Sequence, residues 1–158
     1  GAEQDDLDGG AQDDYLEGGQ GPDRMAGGTG FDEVSYANRS NPIVVRLTDG
    51  DPDALIAVMR SLRASGKPVF VDATAAWCIT CLVNEKAVLS QPGIKTAFAD
   101  RHVEYLIADW TNRNDTITKM LSDNGRSGVP LYLFYRPGAA PQILPQVLTP
   151  STLTALAG

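Results

Sequence analysis

The apolar residues between positions 43 and 157 change their spacing repeatedly, and each change predicts a new element of secondary structure. Short apolar runs predict strands, and the run that begins at Pro68 is continuous, as in a strand buried on both faces of a sheet. After the turn Arg136-Pro137-Gly138, a further segment can pair back as a hairpin. The predicted strands are residues 43–47, 68–71, 103–108, 131–135 and 142–147.

The segments between these strands place apolar residues at helical spacing and carry recognisable ends. Asp51 is a predicted N-cap followed by Pro52, and Gly66 ends that helix. Asn114 caps a later helix, which Gly125 closes. The predicted helices cover about residues 52–65, 78–89, 92–99, 115–124 and 150–157. The resulting order, β-α-β-α-β-α-β-β-α, predicts an α/β fold with a mixed central sheet flanked by helices.

Residues 1–33 are acidic and rich in glycine, unlike the rest of the chain. They contain ten acidic residues and one basic residue, a net charge of -9, whereas the whole chain carries -7, so residues 34–158 are nearly neutral at +2. Too few apolar groups are present to offset the entropy of ordering, which predicts disorder. We therefore predict an acidic linker or tail over residues 1–41 and one folded domain over residues 42–158.

Neither membrane insertion nor nucleic-acid binding is indicated for this segment. No run of 18 or more apolar residues is present, so no membrane span is predicted. No cluster of Lys and Arg suggests a nucleic-acid partner. The N-terminus lacks the basic start and apolar stretch of a signal peptide, so we expect a mature chain or a piece of a longer protein.

The chain has two cysteines, Cys78 and Cys81, separated by two residues. A zinc site needs four ligands, usually in two pairs, and here a second cysteine pair is missing and His102 is the only histidine. A purely structural disulfide over so short a loop would constrain the unfolded chain little. A C-x-x-C pair beside a βαβ pattern favours a redox-active dithiol and no metal site.

The dithiol falls where a predicted strand ends and a helix begins near Cys78. Unpaired backbone N–H groups at a helix start favour a thiolate, so Cys78 is the predicted nucleophile and Cys81 the resolving cysteine. Asp72 ends the preceding strand, where a desolvated carboxylate with a raised pKa could move a proton to or from Cys81. The alternative is a satisfied structural acid. Glu85, one turn beyond Cys81, is either a second tuning acid or an ordinary surface residue.

The segment from Val71 through Asp72 to Trp77-Cys78 resembles the strand and active-site loop of the thioredoxin superfamily, and Gly128-Val129-Pro130 resembles its cis-proline loop. The resemblance implies a thioredoxin-like fold over about residues 43–158, with a cis bond before Pro130. It also implies that the Val129 backbone pairs with an incoming peptide. Trp77 would then cover the dithiol or contact the substrate.

Within that superfamily the chain resembles the C-terminal periplasmic domain of DsbD-type transmembrane thiol:disulfide reductases, including the ScsB-like branch (suppressor of copper sensitivity). Lys67-Pro68-Val69, Trp77-Cys78 and Glu85-Lys86 carry this resemblance, whereas Ile79-Thr80 departs from the Gly-Pro of thioredoxin. It implies a periplasmic, monomeric domain of a larger inner-membrane protein. Such a domain relays electrons from a transmembrane domain to periplasmic thiol proteins, with no cofactor besides its own disulfide.

Two alternatives stay open at this point. A free-standing periplasmic reductant would use the same dithiol with broader substrates. A copper-binding thioredoxin-like module is the other alternative, since two thiolates can hold Cu(I). In the relay interpretation, residues 1–33 are a flexible tether that lets one dithiol visit two partners.

Overall fold

The computed structural model describes residues 6–12, 15–17, 24–26, 33–35, 44–47 and 52–156. Four three-residue strands come first: β1 (Asp6–Asp8), β2 (Tyr15–Glu17), β3 (Arg24–Ala26) and β4 (Glu33–Ser35). Five strands follow: β5 (Val44–Leu47), β6 (Val69–Thr74), β7 (Glu104–Asp109), β8 (Leu131–Tyr135) and β9 (Gln142–Ile143). The helices are α1 (Pro52–Ala64), α2 (Ile79–Asn84), α3 (Pro92–Asp100), α4 (Asp115–Asp123) and α5 (Pro150–Leu156).

The last five strands form one mixed sheet in the order β5-β7-β6-β8-β9. Strands β5, β7 and β6 are parallel, and β8 runs antiparallel to both β6 and β9. The predicted α/β fold with a mixed sheet is confirmed. The final strand is shorter than predicted, because Pro145 follows Leu144 and has no N–H to continue the ladder.

Both faces of the sheet are covered, which explains why β6 and β8 consist of buried residues along almost their whole length. On one face, Leu62 of α1 and Ile117 and Leu121 of α4 pack against the sheet. On the other face the covering residues come from α3, α5 and the helix that follows the cysteines. They are Val88, Leu89, Ile94, Phe98, Leu153 and Leu156.

The helix ends predicted at Gly66, Asn114 and Gly125 are confirmed, whereas the predicted N-cap Asp51 lies outside the described residues. The side chain of Asn114 accepts a hydrogen bond from the Ile117 N–H at 2.8 Å, as an N-cap does. Gly66 and Gly125 follow the two helices with positive φ values of 74° and 70°, which glycine adopts without steric cost. The predicted helix after the cysteines differs, because it is α-helical only over α2 and then π-helical over Glu85–Leu89.

The N-terminal strands pair separately from this sheet, β1 with β3 and β2 with β4. The predicted domain boundary between residues 41 and 42 lies outside the described residues, and the disorder predicted for residues 1–33 stays a prediction. In the part of the chain that the structure covers, no helix is long and apolar enough to cross a bilayer.

Candidate active site

Cys78 and Cys81 are joined by a disulfide at the start of α2, where β6 passes into the helix. Cys78 is the N-cap of that helix: its Sγ accepts a hydrogen bond from the Cys81 N–H at 3.2 Å. Its own N–H donates to the Ala75 carbonyl at 3.0 Å, which closes the turn after the strand. In the reduced protein the Cys81 N–H and the helix start would stabilise a Cys78 thiolate.

The two sulfurs differ in exposure, and this difference separates their roles. Cys78 keeps 7% of its surface accessible and Cys81 2%, so a partner sulfur reaches Cys78 first. Ala75 and the half-buried Val129 complete the cluster around them. The Val129-Pro130 peptide bond is cis, as the resemblance implies, and Pro130 is buried. The structure thus brings Val129 together with Ala75, Cys78 and Cys81, which lie 48 to 54 positions earlier in the sequence.

Asp72 is buried on the strand that leads to the dithiol, and the Tyr105 hydroxyl donates to its Oδ2 at 2.7 Å. It projects toward the face of the sheet that carries Phe70, because residues two apart on a strand share a face. Val88 of the active-site helix packs on that same face. The carboxylate therefore lies on the face of the sheet that the active-site helix covers, and its proton transfer with Cys81 stays a prediction.

Burial raises the pKa of Tyr105 far above its ordinary value, and the Asp72 charge and hydrogen bond raise it further. Burial likewise raises the pKa of Tyr132, with a smaller contribution from Asp72 and an opposing one from Asn84. The charge of Glu85 also raises the pKa of both tyrosines. Glu85 itself is exposed at the end of α2. A buried carboxylate, Asp72, and an exposed one, Glu85, therefore both raise the pKa of these tyrosine hydroxyls.

Trp77 is half exposed, at 50%, and is held in place by the segment that follows β7. Its indole N–H donates to the Thr111 carbonyl at 3.1 Å, and its ring lies 5.9 Å from that of Trp110. The Ala76 N–H donates to the Thr111 hydroxyl at 2.9 Å. The Arg113 guanidinium lies over both indoles, 5.5 Å from Trp77 and 5.1 Å from Trp110. Thr111, Trp110 and Arg113 therefore position the active-site loop, a role that the sequence reasoning missed.

Asn84 is a second residue that the sequence reasoning missed, although it is buried at the end of α2. Its amide nitrogen donates to the Tyr132 hydroxyl at 2.9 Å and to the Gln146 carbonyl at 2.7 Å. Its amide oxygen accepts from the Leu148 N–H at 3.1 Å. The sequence signal was present, because Asn84 occupies a helical position three after Cys81 and four before Val88, both of which are buried.

Replacing Asn84 with alanine is expected to lower the free energy of unfolding by about 2–3 kcal/mol, since a buried carbonyl, N–H and hydroxyl would lose their partner together. Urea unfolding of the full oxidised chain measures the loss. Asn124→Ala is the matched control, because its amide makes a single bond to the Met120 carbonyl, and about 1 kcal/mol or less is expected. Equal losses in the two variants would contradict the central role of Asn84.

Among the described residues, no group of three or more His, Cys, Asp or Glu side chains could hold a metal ion. Both cysteines are already paired with each other. What the site presents is a disulfide at a helix start, a cis-proline loop packed against it through Val129, and a buried acid on the strand that leads to it. These features define a thiol:disulfide exchange domain of thioredoxin-like architecture.

Comparison with known proteins agrees with this class. Residues 51–137 match the family described as Thioredoxin-like, and the chain belongs to that family. It is 34% identical over 87 residues to the thiol:disulfide interchange protein DsbD 1 of Pseudomonas aeruginosa, an alignment that covers 55% of this chain and 14% of that protein. DsbD of Pseudomonas fluorescens is 32% identical over 106 residues, covering 63% of this chain and 18% of that protein. The chain thus spans less than a fifth of the relatives it matches.

Solved structures extend the comparison to the fold. The oxidised C-terminal domain of DsbD from Neisseria meningitidis matches with a TM-score of 0.57 and 25% identity, covering 69% of this chain and 95% of that domain. Thioredoxin O2 of Arabidopsis thaliana, at 18% identity and a TM-score of 0.51, shares the fold. The domain is therefore related to the C-terminal domain of DsbD, and the predicted superfamily and disulfide oxidoreductase class are confirmed.

Proposed function

We propose that this domain relays electrons by dithiol/disulfide exchange, taking them from a transmembrane domain and passing them to periplasmic thiol proteins. The observation that carries the proposal is the Cys78–Cys81 disulfide at the start of α2, packed against Val129 beside the cis Pro130. Its similarity to the DsbD proteins supports the partners, the reducing direction and the periplasmic location within a larger inner-membrane protein. The reduced dithiol of Cys78 and Cys81 carries the two electrons, so no other cofactor is required.

The exchange proceeds in two displacements once the domain is reduced. The Cys78 thiolate attacks one sulfur of the partner disulfide, a mixed disulfide forms, and the second partner sulfur leaves as a thiolate. Cys81 then attacks the Cys78 sulfur, which releases the partner as a dithiol and restores the Cys78–Cys81 bond. Two electrons pass to the partner. Asp72 accepts the Cys81 proton in the second displacement, and Glu85 adjusts the charge near the same site.

The surface around the dithiol supports a protein partner. Three apolar side chains of α2 are largely exposed, at sequence spacings of three and four that place them on one side of the helix: Ile79, Leu82 and Val83. Trp77 borders them. A cysteine-containing segment of the partner would lie against Val129, pair with its backbone as an added strand, and contact this apolar surface with its side chains.

Trapping the mixed disulfide tests the proposal. Reduced Cys81→Ala, incubated separately with the periplasmic extract and with detergent-solubilised membranes of the producing cell, is expected to retain one partner class through Cys78. The adduct is identified by mass spectrometry after non-reducing separation. Cys78→Ala is the matched control and should retain far less. Adducts with thioredoxin-like periplasmic proteins or with a transmembrane domain support the relay. Adducts with many unrelated proteins would favour the free-standing reductant, and no adduct would contradict disulfide exchange.

Copper binding is tested on the same reduced protein. Titration with Cu(I) in the presence of a competing chelator measures the affinity of the two thiolates. Tight stoichiometric binding in a protein that exchanges no disulfides would replace the relay with the copper-binding alternative.

A further inference from the structure

The acidic N-terminal segment is a nine-residue repeat. Residues 9–35 contain three consecutive copies, and residues 1–8 match the end of a preceding copy. Each complete copy begins with two glycines, has aspartate at its sixth position and has an apolar residue at its eighth. The glycine pairs are Gly9-Gly10, Gly18-Gly19 and Gly27-Gly28; the aspartates, with that of the partial copy, are Asp5, Asp14, Asp23 and Asp32; the apolar residues are Leu7, Leu16, Met25 and Val34.

The backbone follows the same period. Strands β1, β2, β3 and β4 each occupy the last three positions of a copy, so each begins one residue after the repeated aspartate. Strand β1 pairs with β3 in parallel, Asp6 opposite Arg24, and β2 pairs with β4, Tyr15 opposite Glu33. Both offsets are eighteen residues, which is two copies. Successive copies therefore alternate between two parallel sheets, as in a coil with two strands to each turn.

Few apolar side chains are available to stabilise this coil by packing. Each strand contributes one repeated apolar position, and these pair in register, Leu7 with Met25 and Leu16 with Val34. Two-stranded sheets of three residues are marginal in water, and domains below about 40 residues usually need a metal, a disulfide or a partner. The excess of nine negative charges over residues 1–33 adds repulsion. A multivalent cation would bridge the strands, which share little apolar surface, and would also neutralise the repulsion between their negative charges.

The repeat supplies the ligands that calcium prefers. In the sequence, the four repeated aspartates each stand immediately before one of the paired strands: Asp5, Asp14, Asp23 and Asp32. Glycine pairs leave backbone carbonyls unshielded by side chains, and Gly10 has a positive φ of 91°. Calcium takes six to eight oxygens from carboxylates and carbonyls, whereas magnesium keeps several waters. Nonapeptides of the form G-G-x-G-x-D-x-U-x, where U is apolar, bind calcium as parallel β-structure.

We propose that residues 5–35 fold into a parallel β-coil on binding Ca²⁺, held by Asp5, Asp14, Asp23 and Asp32 with backbone carbonyls of the glycine turns. The disorder predicted from composition then describes the calcium-free chain. Thirty-one residues reach at most about 110 Å when extended, whereas neighbouring strands of the coil lie about 4.8 Å apart. Calcium therefore shortens the segment that precedes the exchange domain.

The test uses the full chain, stripped of metal with chelator and titrated with CaCl₂, with MgCl₂ as the reference ion. Calorimetry measures binding, circular dichroism measures the gain of β-structure, and small-angle scattering measures the shortening. Calcium is expected to change all three, and magnesium at the same concentration to change none. No response to calcium, or an equal response to magnesium, would overturn the proposal.

Two triple variants that remove the same number of charges distinguish a specific calcium site from non-specific binding to an acidic segment. The triple change Asp14→Asn, Asp23→Asn and Asp32→Asn removes repeated sixth-position aspartates and is expected to weaken calcium binding by about 10-fold or more. Asp6→Asn, Asp8→Asn and Asp13→Asn removes the same charge elsewhere in the repeat and should change it by less than about 3-fold. Equal weakening would mean adventitious binding to negative charge. Disulfide exchange by the dithiol, measured in parallel, reports separately on the exchange function.

Discussion

Cys78→Ser is expected to lose turnover by about 10³-fold or more, because the substitution removes the sulfur that forms the mixed disulfide. The assay follows reduction of a protein disulfide with dithiothreitol as electron source. Cys81→Ser should lose turnover as well, yet still form the mixed disulfide stoichiometrically, since Cys78 remains the more accessible sulfur. The two variants thus give the same steady-state loss and opposite single-turnover results.

One result would reverse the order in which the two cysteines are assigned to attack. If Cys78→Ser formed the mixed disulfide and Cys81→Ser did not, the roles drawn from the exposure of the two sulfurs would be reversed. Intact mass of the trapped species, measured under non-reducing conditions, decides between the two orders. Both variants should remain folded, because the core on either face of the sheet contains neither cysteine.

Asp72→Asn is expected to slow the second displacement by about 10²-fold at pH 7, because the amide cannot accept the Cys81 proton. The rate of the variant should then rise with pH toward the ordinary thiol pKa of about 8.5, as Cys81 ionises by itself, while the natural protein shows a flatter profile. Tyr105→Phe is the control, since it removes the hydrogen bond to Oδ2 and keeps the carboxylate. Superimposable profiles for Asp72→Asn and the natural protein would leave Asp72 a structural acid.

A second measurement locates the charge of Asp72. That charge helps to raise the pKa of Tyr105, so Asp72→Asn should lower this pKa. In a spectroscopic pH titration, the absorbance of tyrosinate should then appear at a lower pH than in the natural protein. The folded state keeps protons on Tyr105 and Tyr132 that the unfolded chain releases near pH 10. The contribution of these two tyrosines to the free energy of unfolding should therefore be fully present below about pH 10 and be lost as the pH rises above it. The loss should be smaller in the variant.

Much of the exchange domain could be predicted from local chemistry. The continuous apolar run at β6, the N-cap at Asn114 and the glycine at position 125 are decided by neighbours within a few residues, and the structure agrees with each. The C-x-x-C pair belongs to the same category. The break from α- to π-helix at Glu85 is different, because no local signal in Glu85–Leu89 marks it.

The N-terminal repeat is a local signal of a kind that composition does not capture. Composition predicts disorder over residues 1–33, because charge and glycine content are averages that discard order. The nine-residue period is a property of order, and the spacing of β1 to β4 made it visible. The repeat is encoded in the sequence itself, where glycine pairs recur every nine residues.

From the sequence alone came the dithiol, its place at the junction of a strand and a helix, and the alternation of elements, because propensity, capping and motif spacing act over short distances. Only the tertiary structure showed that Asn84 binds residues 146 and 148, that Thr111 holds Trp77, and that Tyr105 donates to Asp72. These contacts join residues 33 to 64 positions apart. Their existence depends on strand order and helix packing, which no local pattern encodes.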